Sequence, residues 1–156
     1  MIKRSKELFI LISILTISAT VPASTGTVNT AFSINMNLFA MITVAKVQDL
    51  IFSDATLTGS AFNITVATGA SGAASFNATG TNNRSITRSV VQSSVNMTAT
   101  GVTGTIAVDT FVLAGPTAFD ASGNANGLKV GATAHVLATS EDGNYSGSGT
   151  FRIVYQ

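Results

Sequence analysis

The chain has 156 residues, with eight Lys and Arg against seven Asp and Glu, one histidine and no cysteine. That length is one domain's worth and can bury a sizeable core. Without cysteine, disulfides, His/Cys metal clusters and a lipid-anchoring cysteine are all excluded.

Met1 to Lys6 is basic, Leu8 to Ala19 is mostly apolar, and Val21-Pro22-Ala23 supplies small residues. This is the pattern of an export signal, with cleavage expected after Ala23. The apolar run falls short of the roughly 20 residues that span a bilayer. Removing residues 1–23 takes away Lys3, Arg4, Lys6 and Glu7, leaving five basic residues against six acidic ones. The basic character therefore belongs to the leader. No basic patch remains for phosphates, so nucleic acid is not an expected partner.

The remainder is rich in Thr, Ser, Asn, Val and Gly, a composition that favours strands over helices. Residues 24–38 form an N-terminal segment in which Phe32, Ile34, Met36 and Leu38 alternate with Ser33, Asn35 and Asn37. Period two over seven residues predicts an extended strand. Further extended runs are expected at Met41–Val44 and Leu50–Phe52. Alternation then predicts strands at Phe62–Val66, Ala74–Ala78 and Arg84–Val91, the last at a sheet margin, with its two arginines solvated. Val95–Met97 and Ile106–Leu113 follow. Asp120–Gly127 reads as the longest loop, a weak likeness to a calcium loop with only one carboxylate. Leu128–Ala138 is the penultimate strand, with Val130, Ala132, Ala134 and Val136 on one face.

In the last stretch Tyr145, Phe151, Ile153 and Tyr155 share a face, with Gly147 and Gly149 between them. Glycines there admit a neighbouring backbone or large side chain. A strand this aromatic is expected to be central to a sheet. Eight to ten short strands with regular turn signals and no helical period predict an all-β chain. The expected fold is an antiparallel, immunoglobulin-like β-sandwich over residues 39–156, with a closed barrel as the alternative.

The chemistry expected is sparse. His135 shares a strand face with Lys129 and Thr133 and reads as a partly exposed strand histidine. A Ser–His–Asp arrangement with Asp109 or Asp120 lacks any G-x-S-x-G elbow to support it. No enzyme activity and no cofactor is implied.

Gln48–Phe52, Ala74–Gly80, Val130–Thr133 and Tyr145–Tyr155 resemble, in order and spacing, the secreted bacterial family known as domain of unknown function 4402. Ser53 departs from the glycine usual there. The resemblance implies an exported protein reaching the bacterial surface or exterior through the periplasm, and no catalytic residues.

The two ends also resemble chaperone–usher pilus subunits: aromatic Tyr155 one from the end, Gly143 fourteenth from it, and an alternating segment at the start. That implies a non-enzymatic pilus or filament subunit assembled by β-strand donation. Phe32, Ile34, Met36 and Leu38 would be the donor, and Gly143, Tyr145, Phe151, Ile153 and Tyr155 the acceptor edge. Partners would be identical or related subunits, a periplasmic chaperone and an outer-membrane usher. The alternative is a monomeric secreted or surface-attached adhesive domain that keeps Phe32–Leu38 as its own first strand.

Overall fold

A computed structural model describes residues 30–156, and all its regular secondary structure is strand. The predicted signal segment lies outside the described residues. In chain order the strands are β1 (Thr43–Gln48), β2 (Phe62–Val66), β3 (Ala74–Thr79) and β4 (Ile86–Val90). β5 (Val95–Met97), β6 (Ile106–Ala114), β7 (Asn124–Val136) and β8 (Phe151–Tyr155) complete them. Every pairing is antiparallel. Two sheets curl into a half-barrel, and the protein is the antiparallel sandwich that the sequence predicts.

β7 is the spine. Along one side it pairs with β3 through Asn124–Val130 and then with β2 through Ala132–Val136. On its other side runs β6, with β5 beyond it, while β1 lies outside β3. Ala125, Leu128, Val130, Ala132, Ala134 and Val136 of β7 are all buried. The strand begins four residues earlier than Leu128. Gly127 takes a positive φ of 73° beside a register shift opposite Phe76/Ala78, and its N–H donates to Asn77 Oδ1 at 3.0 Å. This bulge flips the inward phase, so Ala125 and Leu128 both point inward although three positions apart. The sequence of Asn124–Gly127 therefore reads as loop. β6 carries a second shift between Asp109 and Val112, where Thr110 adopts φ 52°.

β4 and β8 form the second, two-stranded sheet, with Ile86 opposite Tyr155 and Val90 opposite Phe151. Here the structure corrects the sequence reading: β8 is not central to a sheet, having β4 as its only strand partner among the described residues. Its aromatic face is nonetheless covered, because packing across the sandwich needs no second hydrogen-bonded neighbour.

The interior has two parts. One centres on Ala78, Ile86, Phe119, Ala125 and Leu128, closed over by Phe76, Phe151, Ile153 and Tyr155. The other centres on Ile106, Val108, Ala132, Ala134 and Val136, lined by partly buried Leu50, Phe52, Phe62 and Ile64.

Residues 37–156 make up one compact unit and hold every strand. Residues 30–36 belong to the other, and their described part has no regular strand. Phe32, Ile34 and Met36 are 81%, 84% and 77% exposed there, and Leu38 in the larger unit is 79% exposed. The strand expected at Phe32–Leu38 thus has its alternation but no ladder.

Candidate functional site

The second part of the interior is incompletely covered. Above Ile106, Val108, Ala134 and Val136 lies a cleft of about 870 Å³, partly open to solvent. One wall is the chain after β1. Leu50 and Phe52 pack toward the interior, Ile51 points out, and Ile51 N–H donates to Gly72 O at 2.8 Å. The residues from Asp49 to Thr58 form no regular strand, so this wall is extended chain without a ladder along its cleft side.

The opposite wall is Gly143–Thr150, running into β8. Ser146 exchanges two backbone bonds of 2.9 Å with Thr98, beside β5. Thr150 O accepts from Val91 N–H at 2.9 Å, Thr150 N–H donates to Gln92 Oε1 at 2.8 Å, and Gln156 N–H donates to Ser85 O at 3.1 Å. Ser146, Thr150 and Gln156 thus turn backbone groups toward the chain that flanks β5 and β4. In extended chain the N–H and C=O alternate sides, so Tyr145, Gly147, Gly149 and Phe151 turn theirs toward the cleft. These four also carry the inward side-chain positions, and the middle two are glycine. An added Cβ at Gly147 would meet Val95 Cγ1 at 3.0 Å and Met97 Cγ at 3.1 Å, whereas at Gly149 its nearest neighbour is Val95 Cγ2 at 3.8 Å. Where Phe, Ile and Tyr cover the first core, this wall offers Tyr145 and then two glycines.

One end of the cleft is shut by the rings of Phe76 and Phe151, stacked with centroids 4.5 Å apart. The other, between Ser53–Leu57 and Glu141–Asn144, is bounded mostly by exposed chain. Of the predicted acceptor residues, Gly143 and Tyr145 line the cleft and Phe151 closes it. Ile153 and Tyr155 lie elsewhere, over the first core. The Tyr155 hydroxyl donates to Ala40 O and accepts from Thr81 N–H, both at 2.7 Å. Phe39 lies beside its ring, tilted 40° with centroids 5.5 Å apart, and the Arg84 guanidinium is 4.3 Å from the Phe39 centroid. β4 lies at a sheet margin as expected, but Arg84 and Arg88 are half-buried rather than solvated, and Arg84 Nε and Arg88 Nη1 are buried with no hydrogen-bond partner among the described residues.

The outer face of the larger sheet holds a polar row. His135 Nε2 donates to Asp109 Oδ1 at 2.7 Å, and Nδ1 lies 2.9 Å from Asn63 Oδ1, joining β6, β7 and β2. The hydrogen bond from His135, followed by one from the Thr110 hydroxyl, holds the Asp109 carboxyl below its ordinary range. Asp109 is the aspartate that His135 finds, yet both ring nitrogens are engaged and no serine is at either. In the predicted ion loop, Asp120 Oδ1 accepts from Ser122 N–H and Asn124 N–H, both at 2.8 Å, so its carboxylate organises the turn.

Leu50, Phe52, Phe62 and Ile64 did not stand out as site residues in the sequence. Leu50–Phe52 gives only a short apolar run, and Phe62 and Ile64 read as one face of an ordinary alternating strand.

No curated protein and no solved structure matches the chain. A family model, described as Domain of unknown function (DUF4402), matches residues 39–155, three quarters of the chain and all of its strands. The chain belongs to that family.

Proposed function

We propose that this protein is a non-enzymatic structural subunit of a bacterial surface pilus or filament, assembled by β-strand donation between copies. The observation that carries the reading is the open seam over the second core. It pairs an apolar floor with a wall whose odd-numbered residues turn toward it backbone groups that have no partner among the described residues. Both halves of β-augmentation are then in place: backbone groups for a ladder and an apolar groove for alternate side chains. Phe32, Ile34, Met36 and Leu38 supply four such side chains in extended register, all highly exposed. Burying each contributes about 1.5–3 kcal/mol. A donor that leaves one copy for the groove of the next makes a head-to-tail contact, which propagates into a filament. On this reading the chain is exported, and a chaperone and an usher would handle it before assembly.

The test has two arms. Full-length mature chain is examined by negative-stain microscopy, where filaments are expected. A chain lacking residues 24–38 is then unfolded thermally with and without a synthetic peptide of that sequence, and the peptide is expected to raise the midpoint. Dispersed monomers, together with no response to the peptide, overturn the proposal in favour of a monomeric adhesive domain.

A further inference from the structure

The glycine gap in the cleft wall fixes how a donor would lie, a step that rests on the strand-donation reading. From Tyr145 to Phe151 the wall spans six residue steps, and so does the segment from Phe32 to Leu38. At about 3.3 Å per residue each is about 20 Å long. Along the wall the inward positions read aromatic, glycine, glycine, aromatic; along the segment they read Phe, Ile, Met, Leu.

Direction follows from what each end is attached to. Leu38 leads straight into Phe39 and Ala40, which are held on their own domain: Ala40 N–H donates to Thr81 Oγ1 at 2.7 Å, and Tyr155 takes the Ala40 carbonyl. That folded bulk cannot pass into a neighbour's groove. Leu38 must therefore stay at the open mouth near Tyr145, and Phe32 must point toward the closed end at Phe76 and Phe151. The wall runs from mouth to closed end, so the donor runs antiparallel to it.

We propose that the segment Phe32–Leu38 of a second copy docks antiparallel to Tyr145–Phe151, with Ile34 opposite Gly149 and Met36 opposite Gly147. Ile34 then enters the space that Gly149 leaves open, where the nearest atom to an added Cβ is 3.8 Å away, and Met36 lies beside Gly147, whose own inward side is against Val95 and Met97. Gly149 is a specificity position: an added side chain there has room to grow into the cleft and exclude the donor.

The chain contains no cysteine, so single cysteines report register cleanly. Directly opposed residues in an antiparallel pair sit about 5.5 Å apart between Cα atoms when hydrogen-bonded to each other, within disulfide reach. Full-length chains bearing Gly149→Cys are mixed with chains bearing Ile34→Cys or Met36→Cys and oxidised mildly. The expected result is a covalent dimer with Ile34→Cys and little with Met36→Cys. The reverse preference means parallel insertion and overturns the inference. If neither pair links while the 24–38 peptide still stabilises the truncated chain, the register falls and strand donation stands. If the peptide also fails, both fall. As a second readout, Gly149→Leu is expected to keep the monomer's thermal midpoint and abolish filaments; filaments of unchanged length would also overturn it.

Discussion

The two halves of the interior share one sheet and differ in their cover. Over Ala78, Phe119 and Leu128 the chain lays Phe151, Ile153 and Tyr155, and both Phe119 and Leu128 are sealed to within 2% exposure. Over Val108 and Ala134 the same stretch of chain, four to six residues earlier, offers Gly147 and Gly149, and a cleft remains. The difference lies in side chains, not in backbone path: alternation continues through the whole stretch, and only its inward residues change. Closure of a β-sandwich is thus decided position by position. An open seam needs no unusual fold, only two glycines where the rest of the strand has rings.

The contrast is broken most directly by truncation. Phe119→Ala is expected to cost about 3–5 kcal/mol in the closed half, read from urea unfolding. Phe52→Ala, at the cleft, should cost clearly less, because its ring is only partly buried. Equal losses would mean the halves are packed alike. Next in size, Tyr155→Phe removes the hydroxyl that holds Ala40 and Thr81. It should cost about 1–3 kcal/mol, since the Thr81 N–H and the Ala40 carbonyl lose their partner. Filling tests the other side: Gly149→Leu should leave the monomer's stability within about 0.5 kcal/mol of the parent. A marked loss of stability there would show that the cleft cannot accept a side chain from its own wall.

The smallest effect is on the outer face. Asp109 is held below its ordinary pKa by His135, so its contribution to stability is present above about pH 4, the unfolded value. It fades as pH falls through the lower folded one. Asp109→Asn should flatten that part of the acid side of the urea-midpoint profile and leave the cleft untouched. An unchanged profile between wild type and variant would mean that the Asp109–His135 pair does not contribute.

Much of this was legible in the chain. Strict alternation at Phe62–Val66, Ala74–Thr79 and Leu128–Val136 fixes which side faces in, because side-chain period two leaves one consistent register. The alternation of Phe32–Leu38 was legible too, although no ladder forms there. Phe119 was not: it sits between Pro116 and Asp120, outside any alternating run, and is buried because its N–H bonds Arg84 O and its ring enters the first core. The start of β7 at Asn124 was hidden by a bulge, since a phase flip cancels the periodic signal that a strand otherwise gives. Of the five residues expected at an acceptor edge, Gly143, Tyr145 and Phe151 line the cleft, while Ile153 and Tyr155 lie over the first core. One alternating face was read as one surface, whereas the wall crosses from one half of the interior to the other along its length.

By itself the sequence determined the class of structure: β-branched, cysteine-free, alternating segments separated by turn residues can satisfy their backbone only as antiparallel sheets. It also determined which side chains would be apolar and inward. Tertiary structure alone decided that the inward positions at 147 and 149 stand over uncovered floor, while those at 153 and 155 stand over a filled one. Local alternation is a property of neighbouring residues. Whether a groove lies beneath them depends on what distant strands bring to the same place.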